Sequence, residues 1–503
     1  MSRALVIGAG FGGMSAAIRL RAKGYDVTLV DRCARLGGRA QVFERDGYRH
    51  DAGPTVITAP FLFEELFAAL GKRMADYVRL VPLTTWYRFH YPDGSQFDYG
   101  GTIDETLAEI AKISPRDCDG YRNLLAESER IYRVGFEQLS DQPFHKLGDM
   151  LALVPAMMRL GSRRTVWQLV SRHLRHEKLR QAFSVQPLLV GGNPFSTTSI
   201  YNLIHFLERA HGVHFAMGGT GALVDGLERL MREAGIEIRL DTTVAAIETD
   251  GSRACGARLE SGEVIAADIV VSNVDPAFLY NNMLSDGQTK LSARLKARHA
   301  RKSMALFVLF FGTEGTYDDV AHHTIWLGKR YKGLLDDIFH RKVLADDFSL
   351  YLHRPTATDT SFAPVGHDSF YALVPVPNLE GDIDWTKAGP RLRNQVVKAL
   401  DETILPGLKA RIRSDFFMTP EDFLADYLSP AGAGFSIAPD FSQSAWFRFH
   451  NKAEGPENLF LVGAGTHPGA GLPGVLSSAK VLDRLVPAVQ GGEREALSRR
   501  EVA

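Results

Sequence analysis

A chain of 503 residues exceeds what one hydrophobic core supports, so two or three domains are expected. Its 45% apolar content is that of a globular protein, and a formal net charge of -1 gives no electrostatic case for a nucleic-acid partner. Three cysteines, Cys33, Cys118 and Cys255, make no CxxC pair and no metal-ligand spacing, which suits a reducing cytosol and predicts no metal.

Residues 5–7 form a short apolar run, too near the start for a charged leader and an apolar signal core. Gly8-Ala9-Gly10-Phe11-Gly12-Gly13 follows at once, and then a helical pattern in Met14, Ala17, Ile18 and Leu20. This predicts a strand, a tight turn and a helix opening on backbone N–H groups. Gly8 permits the turn, Gly10 lets a pyrophosphate approach the backbone, and Gly13 lets the helix pack against the strand. A second strand, 27–30, ends in Asp31, about 20 residues on, where a carboxylate can hold a ribose hydroxyl. Gly37-Gly38-Arg39 then stand where an NAD-binding domain would build its next helix. A double glycine lets the chain turn back over the dinucleotide, and Arg39 offers a fork of donors to phosphate. FAD is therefore the expected cofactor.

This first unit runs to about residue 71. Residues 77–99 favour strands around a turn at Tyr91-Pro92-Asp93-Gly94. Residues 114–211 read as helical. Strands resume after His214; 218–223 leads into a helix through Leu227 and Met231, and 236–240, 244–247, 257–265 and 268–272 follow as strands. The double glycine at 218–219 lacks the spacing and the following acid of a second nucleotide site, so it is read as support for the flavin or the substrate channel. Residues 304–439 alternate strands and helices and form the expected floor of a substrate cavity. Near the end, a strand at 459–462 enters Gly463-Ala464-Gly465-Thr466-His467-Pro468-Gly469-Ala470-Gly471-Leu472-Pro473-Gly474-Val475, and a helix follows through Leu476, Ala479, Leu482 and Leu485. This loop can bring further N–H groups to the far end of the cofactor. The tail from 490 to 503 reads as a solvated end.

These segments, with Asp51-Ala52-Gly53-Pro54-Thr55-Val56-Ile57-Thr58, resemble the bacterial-type phytoene desaturases. So do Leu189-Val190-Gly191-Gly192-Asn193-Pro194-Phe195, Gly218-Gly219-Thr220-Gly221-Ala222-Leu223, Asp347-Phe348-Ser349-Leu350-Tyr351-Leu352-His353 and Gln443-Ser444-Ala445-Trp446-Phe447-Arg448. The likeness covers nearly the whole chain, from about residue 4 to residue 485. The nucleotide motifs are shared with amine oxidases, while the later segments are narrower and point to carotenoid desaturation. The resemblance implies an α/β protein: a Rossmann-like FAD-binding domain of amine-oxidase type, a mixed-sheet substrate domain and a helical membrane-facing region. The expected boundaries are 1–75, 214–290 and 450–503 for the first, 76–113 and 291–449 for the second, and 114–213 for the third. By resemblance alone, Val244 contacts adenine through its backbone. The expected cofactor-binding set is Gly8, Ala9, Gly10, Gly12, Gly13, Asp31, Arg32, Gly38, Arg39, Val244, Gly465, Pro473, Gly474 and Val475.

Within 150–175, apolar clusters (Met150, Leu151, Leu153, Val154, Met157, Met158 and Leu160, then Val166, Trp167, Leu169 and Val170) interleave with Arg159, Arg163, Arg164, Arg172 and Arg175. Such a segment can lie in a lipid interface or form an ordinary core helix with a basic face. A hydrocarbon substrate resides in the bilayer, so peripheral attachment to the inner face of the cell membrane is expected. No apolar run reaches the ~18 residues of a spanning helix.

The implied chemistry removes two hydrogens from a saturated bond beside a polyene. Flavin takes a hydride, and the neighbouring carbon, made acidic by the allylic cation, loses a proton. The protein's task is alignment and exclusion of water. Asp149, His353 and His467 are the candidate general bases, with His467 placed nearest the flavin by its loop. With no separate nicotinamide site in view, reduced flavin is expected to pass electrons to a quinone or oxygen. Other readings stay open: a sister desaturase acting on a hydroxylated carotenoid or a dehydrosqualene, a flavin-dependent isomerase, or a lipid-binding escort. Intact cofactor motifs disfavour the escort.

Overall fold

The computed structural model describes residues 2–489; the tail from 490 lies outside them. Five parallel strands form the first sheet, in the order Leu459–Leu461, Ile269–Ser272, Arg3–Ile7, Asp26–Val30 and Glu237–Arg239. A parallel sheet is buried on both faces, and the alternation along its central strand shows how. Ala4 and Val6 pack under the helices Phe11–Ala22, Gly219–Glu233 and Leu472–Leu485. Leu5 and Ile7 point the other way, onto an antiparallel three-stranded meander of Val244–Asp250, Arg253–Leu259 and Val264–Ala266. Strands drawn from residues 3 and 459 thus lie in one sheet, which brings both glycine loops to the same strand ends.

The second sheet has seven strands, in the order Ile412–Met418, Ala305–Glu314, His367–Val376, Leu350–His353, His323–Trp326, Thr85–His90 and Gln96–Gly100. Every pairing is antiparallel except that of His323–Trp326 with Thr85–His90. Its long strand is buried on both faces. Phe307, Leu309 and Phe311 pack beneath the helix Trp385–Glu402, while Leu306, Val308 and Phe310 face a cavity. Each such side chain removed from water stabilises the fold by roughly 1.5–3 kcal/mol.

Six helices, Ile103–Ile113, Cys118–Tyr132, Leu147–Arg159, Val166–His173, Glu177–Phe183 and Leu203–His211, lie between the strands Gln96–Gly100 and His214–Ala216. Thr165 starts one of them: the Gln168 N–H donates to Thr165 Oγ1 at 3.2 Å, and the Gln168 side chain accepts from the Thr165 N–H. The arginine-rich stretch divides here. Val166, Leu169 and Val170 turn inward, and Trp167 packs at a tilt against Phe195 with ring centroids 4.7 Å apart. This second apolar cluster belongs to the helical core, because its apolar stripe packs against Cys118–Tyr132. The first cluster differs. On Leu147–Arg159, Leu151 is 62% exposed and Met158 65%, with Val154 beside them. Among the described residues no helix is long and apolar enough to cross a membrane.

Candidate active site

Two glycine loops meet at the carboxyl ends of the parallel strands. Gly8 adopts φ 95°, and its N–H donates to Val30 O at 2.8 Å. A Cβ on Gly13 would overlap the Gly8 carbonyl oxygen, so helix and strand can be this close only without a side chain. Gly10 precedes the helix Phe11–Ala22, whose first turn has neither a capping side chain nor an acid. Across from it, Gly471 precedes Leu472–Leu485, likewise uncapped and without an acid in its first turn. Two helix N-termini therefore open on one cavity with free N–H groups and positive dipole ends.

Most of the expected cofactor residues line that cavity: Gly8, Gly10, Gly12, Asp31, Arg32, Gly38, Arg39, Val244, Gly465, Pro473, Gly474 and Val475. Ala9 and Gly13 stand behind it. Ala9 is fully buried; its N–H donates to Asp31 Oδ2 at 2.5 Å, and its carbonyl accepts from Gly37 N–H at 2.9 Å. Asp31 Oδ1 accepts from Cys33 N–H at 2.8 Å, so the carboxylate is fixed at the wall. The two arginines are partly engaged. Arg32 donates to Ala425 O at 2.7 Å, and Arg39 to Ser429 Oγ at 2.9 Å. The glycine segment at 218–223 is not on the cavity. Its helix receives the Asp51 carboxylate, which accepts from Thr220 N–H at 2.8 Å, and Thr220 Oγ1 donates to Pro54 O at 2.7 Å. It thereby anchors the segment from Ala52 to Val56, which does line the cavity.

The second loop hangs on a buried cation. Arg448 is 1% exposed and donates to Ala464 O at 2.6 Å and Thr466 O at 2.9 Å. Asn451 Nδ2 donates to His467 O at 2.9 Å.

The three base candidates are not brought together. His467 lines the cavity; its Nε2 meets Leu139 O at 3.2 Å, its ring stands edge-on to Phe144, and burial pushes its pKa down to about 4. His353 is off the cavity, behind Tyr351 and Tyr371, in a fully buried cluster with His322 and His323. Its Nε2 lies 3.1 Å from His322 Nε2 and burial holds it neutral; Arg354 beside His322 further disfavours positive charge there. Asp149 is exposed and lines a smaller outer pocket with His145 and Phe144.

Sequence reasoning missed the groups that face the cavity's interior. Asn273 follows the strand Ile269–Ser272 and occupies the space between the two loops, where a Cβ on Gly10 would lie 2.9 Å from its Nδ2 and one on Gly12 would overlap its Oδ1. Thr55 Oγ1 hydrogen-bonds the hydroxyls of Tyr351 and Tyr371, each at 2.9 Å, and burial raises both phenols so that they stay neutral. Glu208 lines the cavity from the helix Leu203–His211. The available signal was an acid three residues after His205 on the buried side of that helix.

From the loops the cavity, of about 560 Å³, runs on to a wall of Met150, Leu153, Met157, Leu306, Val308 and Phe310. Glycines whose Cβ atoms would clash, two uncapped helix ends and a fixed carboxylate suit a dinucleotide whose phosphates the free N–H groups of the helix ends would bind. The class is an FAD-dependent oxidoreductase of amine-oxidase fold. The flavin containing amine oxidoreductase family matches residues 11–481. A lycopene-forming phytoene desaturase of Pseudescherichia vulneris is 46% identical over 97% of this chain and 99% of its own. A neurosporene-forming phytoene desaturase of Cereibacter sphaeroides is 43% identical over 98% and 96%. The cyclohexylamine oxidase of Brevibacterium oxydans shares the fold at TM-score 0.63 and 16% identity, covering 96% of this chain and 98% of that one. The chain belongs to the flavin-containing amine oxidoreductases and, within them, to the phytoene desaturases.

Proposed function

We propose that this protein desaturates phytoene in successive rounds toward lycopene, taking the hydrocarbon from a membrane surface. The observation that carries this reading is the single cavity that joins a dinucleotide cradle to an apolar wall. Burying apolar surface stabilises by roughly 25 cal/mol per Å², and a long polyene has little else to offer. Gly8, Gly10, Gly12, Asp31 and the loop 463–475 would hold the FAD. Bound FAD supplies an acceptor for a hydrogen with its electron pair. The chain itself aligns the polyene along Leu306, Val308 and Phe310 and keeps water out. The hydroxyls of Thr55, Tyr351 and Tyr371 satisfy one another, so this polar spot does not demand solvent.

The helix Leu147–Arg159 supports the membrane part of the proposal. Met150, Leu153 and Met157 face the cavity, while Leu151, Val154 and Met158 are exposed, and the turn Ala445–Phe447, which carries the exposed Phe447, contacts this helix. One helix thus has apolar groups on both sides, with Lys146, Arg159, Arg163 and Arg164 exposed around it, as a doorway in a lipid interface requires. Electrons leave to a membrane quinone or to oxygen. The test is incubation of the purified protein with FAD, quinone and phytoene in liposomes, followed by absorbance scans and chromatography of the pigment. Structured visible bands moving to longer wavelength are expected, and paired Leu151→Asp and Met158→Asp changes should slow turnover from liposomes far more than from detergent. Unchanged phytoene with flavin bound, or strict dependence on NADP, overturns the proposal.

A further inference from the structure

We propose that Glu208 is the catalytic base of this site, taking the proton from the carbon next to the one that gives up hydride. The inference rests on the desaturase reading above. Asp31, Asp275, Asp426 and Glu208 bring carboxylates to the cavity wall. Asp31 has both oxygens engaged by backbone N–H groups. Asp275 caps Ala277 N–H at 2.9 Å and feels the charges of Arg39 and Arg448. Asp426 lies at the same end; burial and the neighbouring Asp422 raise its carboxyl, against the pull of Arg32. All three belong to the cofactor end. Glu208 comes instead from the helix Leu203–His211, beside Leu203, Ile204 and Leu207 of the apolar wall. It is 0% exposed; Oε1 accepts from the Tyr87 hydroxyl at 2.8 Å, and Oε2 is buried without a hydrogen-bond partner.

An unpartnered carboxylate oxygen in an apolar wall costs about 1–3 kcal/mol, so it calls for a reason. A C–H bond that must lose its proton supplies one. As the hydride leaves one carbon for the acceptor in the cradle, the electron pair of the neighbouring C–H bond becomes the new π bond. Its proton goes to Glu208 Oε2, turning carboxylate into carboxylic acid. The surroundings suit the change. Tyr87 and Tyr99 come from the strand pair Thr85–His90 and Gln96–Gly100, Tyr121 from Cys118–Tyr132, and His205 and Arg209 from the helix of Glu208 itself. Both phenols of the strand pair and His205 are held neutral by burial. Arg209 is the one cation of this group, and it donates to Gly101 O at 2.6 Å, Thr106 Oγ1 at 2.9 Å and Tyr121 OH at 3.3 Å rather than to Glu208. Burial raises the Glu208 carboxyl to about 8, close to neutral pH, where a base best balances ionised fraction against proton affinity.

The test pairs infrared spectroscopy with turnover. At pH 7 the wild type, with or without FAD, should show a carboxylic-acid carbonyl band that Glu208→Gln lacks. With flavin loading unchanged, Glu208→Gln should lower kcat by about 10²–10⁴-fold. Turnover should rise with pH through about 8, and Tyr87→Phe, which removes the donor to Oε1, should move that rise to higher pH. A Glu208→Gln variant within threefold of wild type, or the same infrared band in both, overturns the proposal. If Glu208→Gln fails to load flavin, an unmoved pH profile in Tyr87→Phe overturns it instead. Failure of the wild type to convert phytoene at all would count against the desaturase reading rather than against Glu208.

Discussion

Lowering the pH should unfold this protein well before its surface ion pairs titrate. His50 and His467 are pushed down to about 4 and His205 and His322 to about 3, with His323 and His353 also well below the ordinary value of 6.5, all by burial. These six stay neutral in the fold but take up protons in the unfolded chain as the pH falls through 6.5. Their contribution to stability is complete above that pH and is lost below it. Between pH 7.5 and 5.5 the six together forfeit about 8 kcal/mol, at 1.36 kcal/mol per tenfold change in proton activity. Two buried carboxyls oppose them. Glu208 is raised to about 8 and Asp51 to about 6, so the fold binds their protons first and gains as the pH falls. That gain is about 3 kcal/mol over the same interval, and the histidines win by about 5 kcal/mol. A domain's whole stability is about 5–15 kcal/mol, so most of it should disappear by pH 5.5. Urea unfolding followed by far-ultraviolet circular dichroism at pH 7.5, 6.5, 6.0 and 5.5 measures this directly. Glu208→Gln should steepen the loss, because it removes the larger opposing gain. A stability that changes by less than about 1 kcal/mol over this range would refute the argument that these rings are buried neutral.

Two substitutions test the cradle. Arg448→Met keeps length and bulk but strips the donors from Ala464 O and Thr466 O; leaving these buried carbonyls bare should cost about 2–5 kcal/mol and weaken FAD binding. Equal urea midpoints and equal flavin affinity would show that the loop holds without it. Gly13→Ala places a Cβ on the Gly8 carbonyl oxygen and should abolish flavin retention, whereas Gly148→Ala, whose Cβ meets nothing within 4 Å, should retain it. Flavin absorbance after gel filtration separates the two, and a yellow Gly13→Ala protein would contradict the close helix–strand approach.

What could be read from the sequence divides by the range of the interaction. The loops were legible because their demands are local: Gly8, Gly37, Gly463 and Gly471 take φ of 95°, 108°, 98° and 89°, which side chains resist. An apolar run before each loop and a helical pattern after it then complete the signal. The cavity wall was not legible, since its polar groups find their partners only in the folded chain. Thr55 meets Tyr351 across 296 residues of sequence, and Tyr87 meets Glu208 across 121. Asp149 and His353 show the same limit from the other side. Each is a plausible base by residue type, yet one lies on an outer pocket and the other behind two phenols. The double glycine at 218–219 teaches it most clearly. Its helix N-terminus attracts an anion as dipoles dictate, but the anion is Asp51, brought there by a strand 169 residues away. A motif therefore fixes what a backbone can bind, and the tertiary fold decides whether that partner is a cofactor or the chain itself.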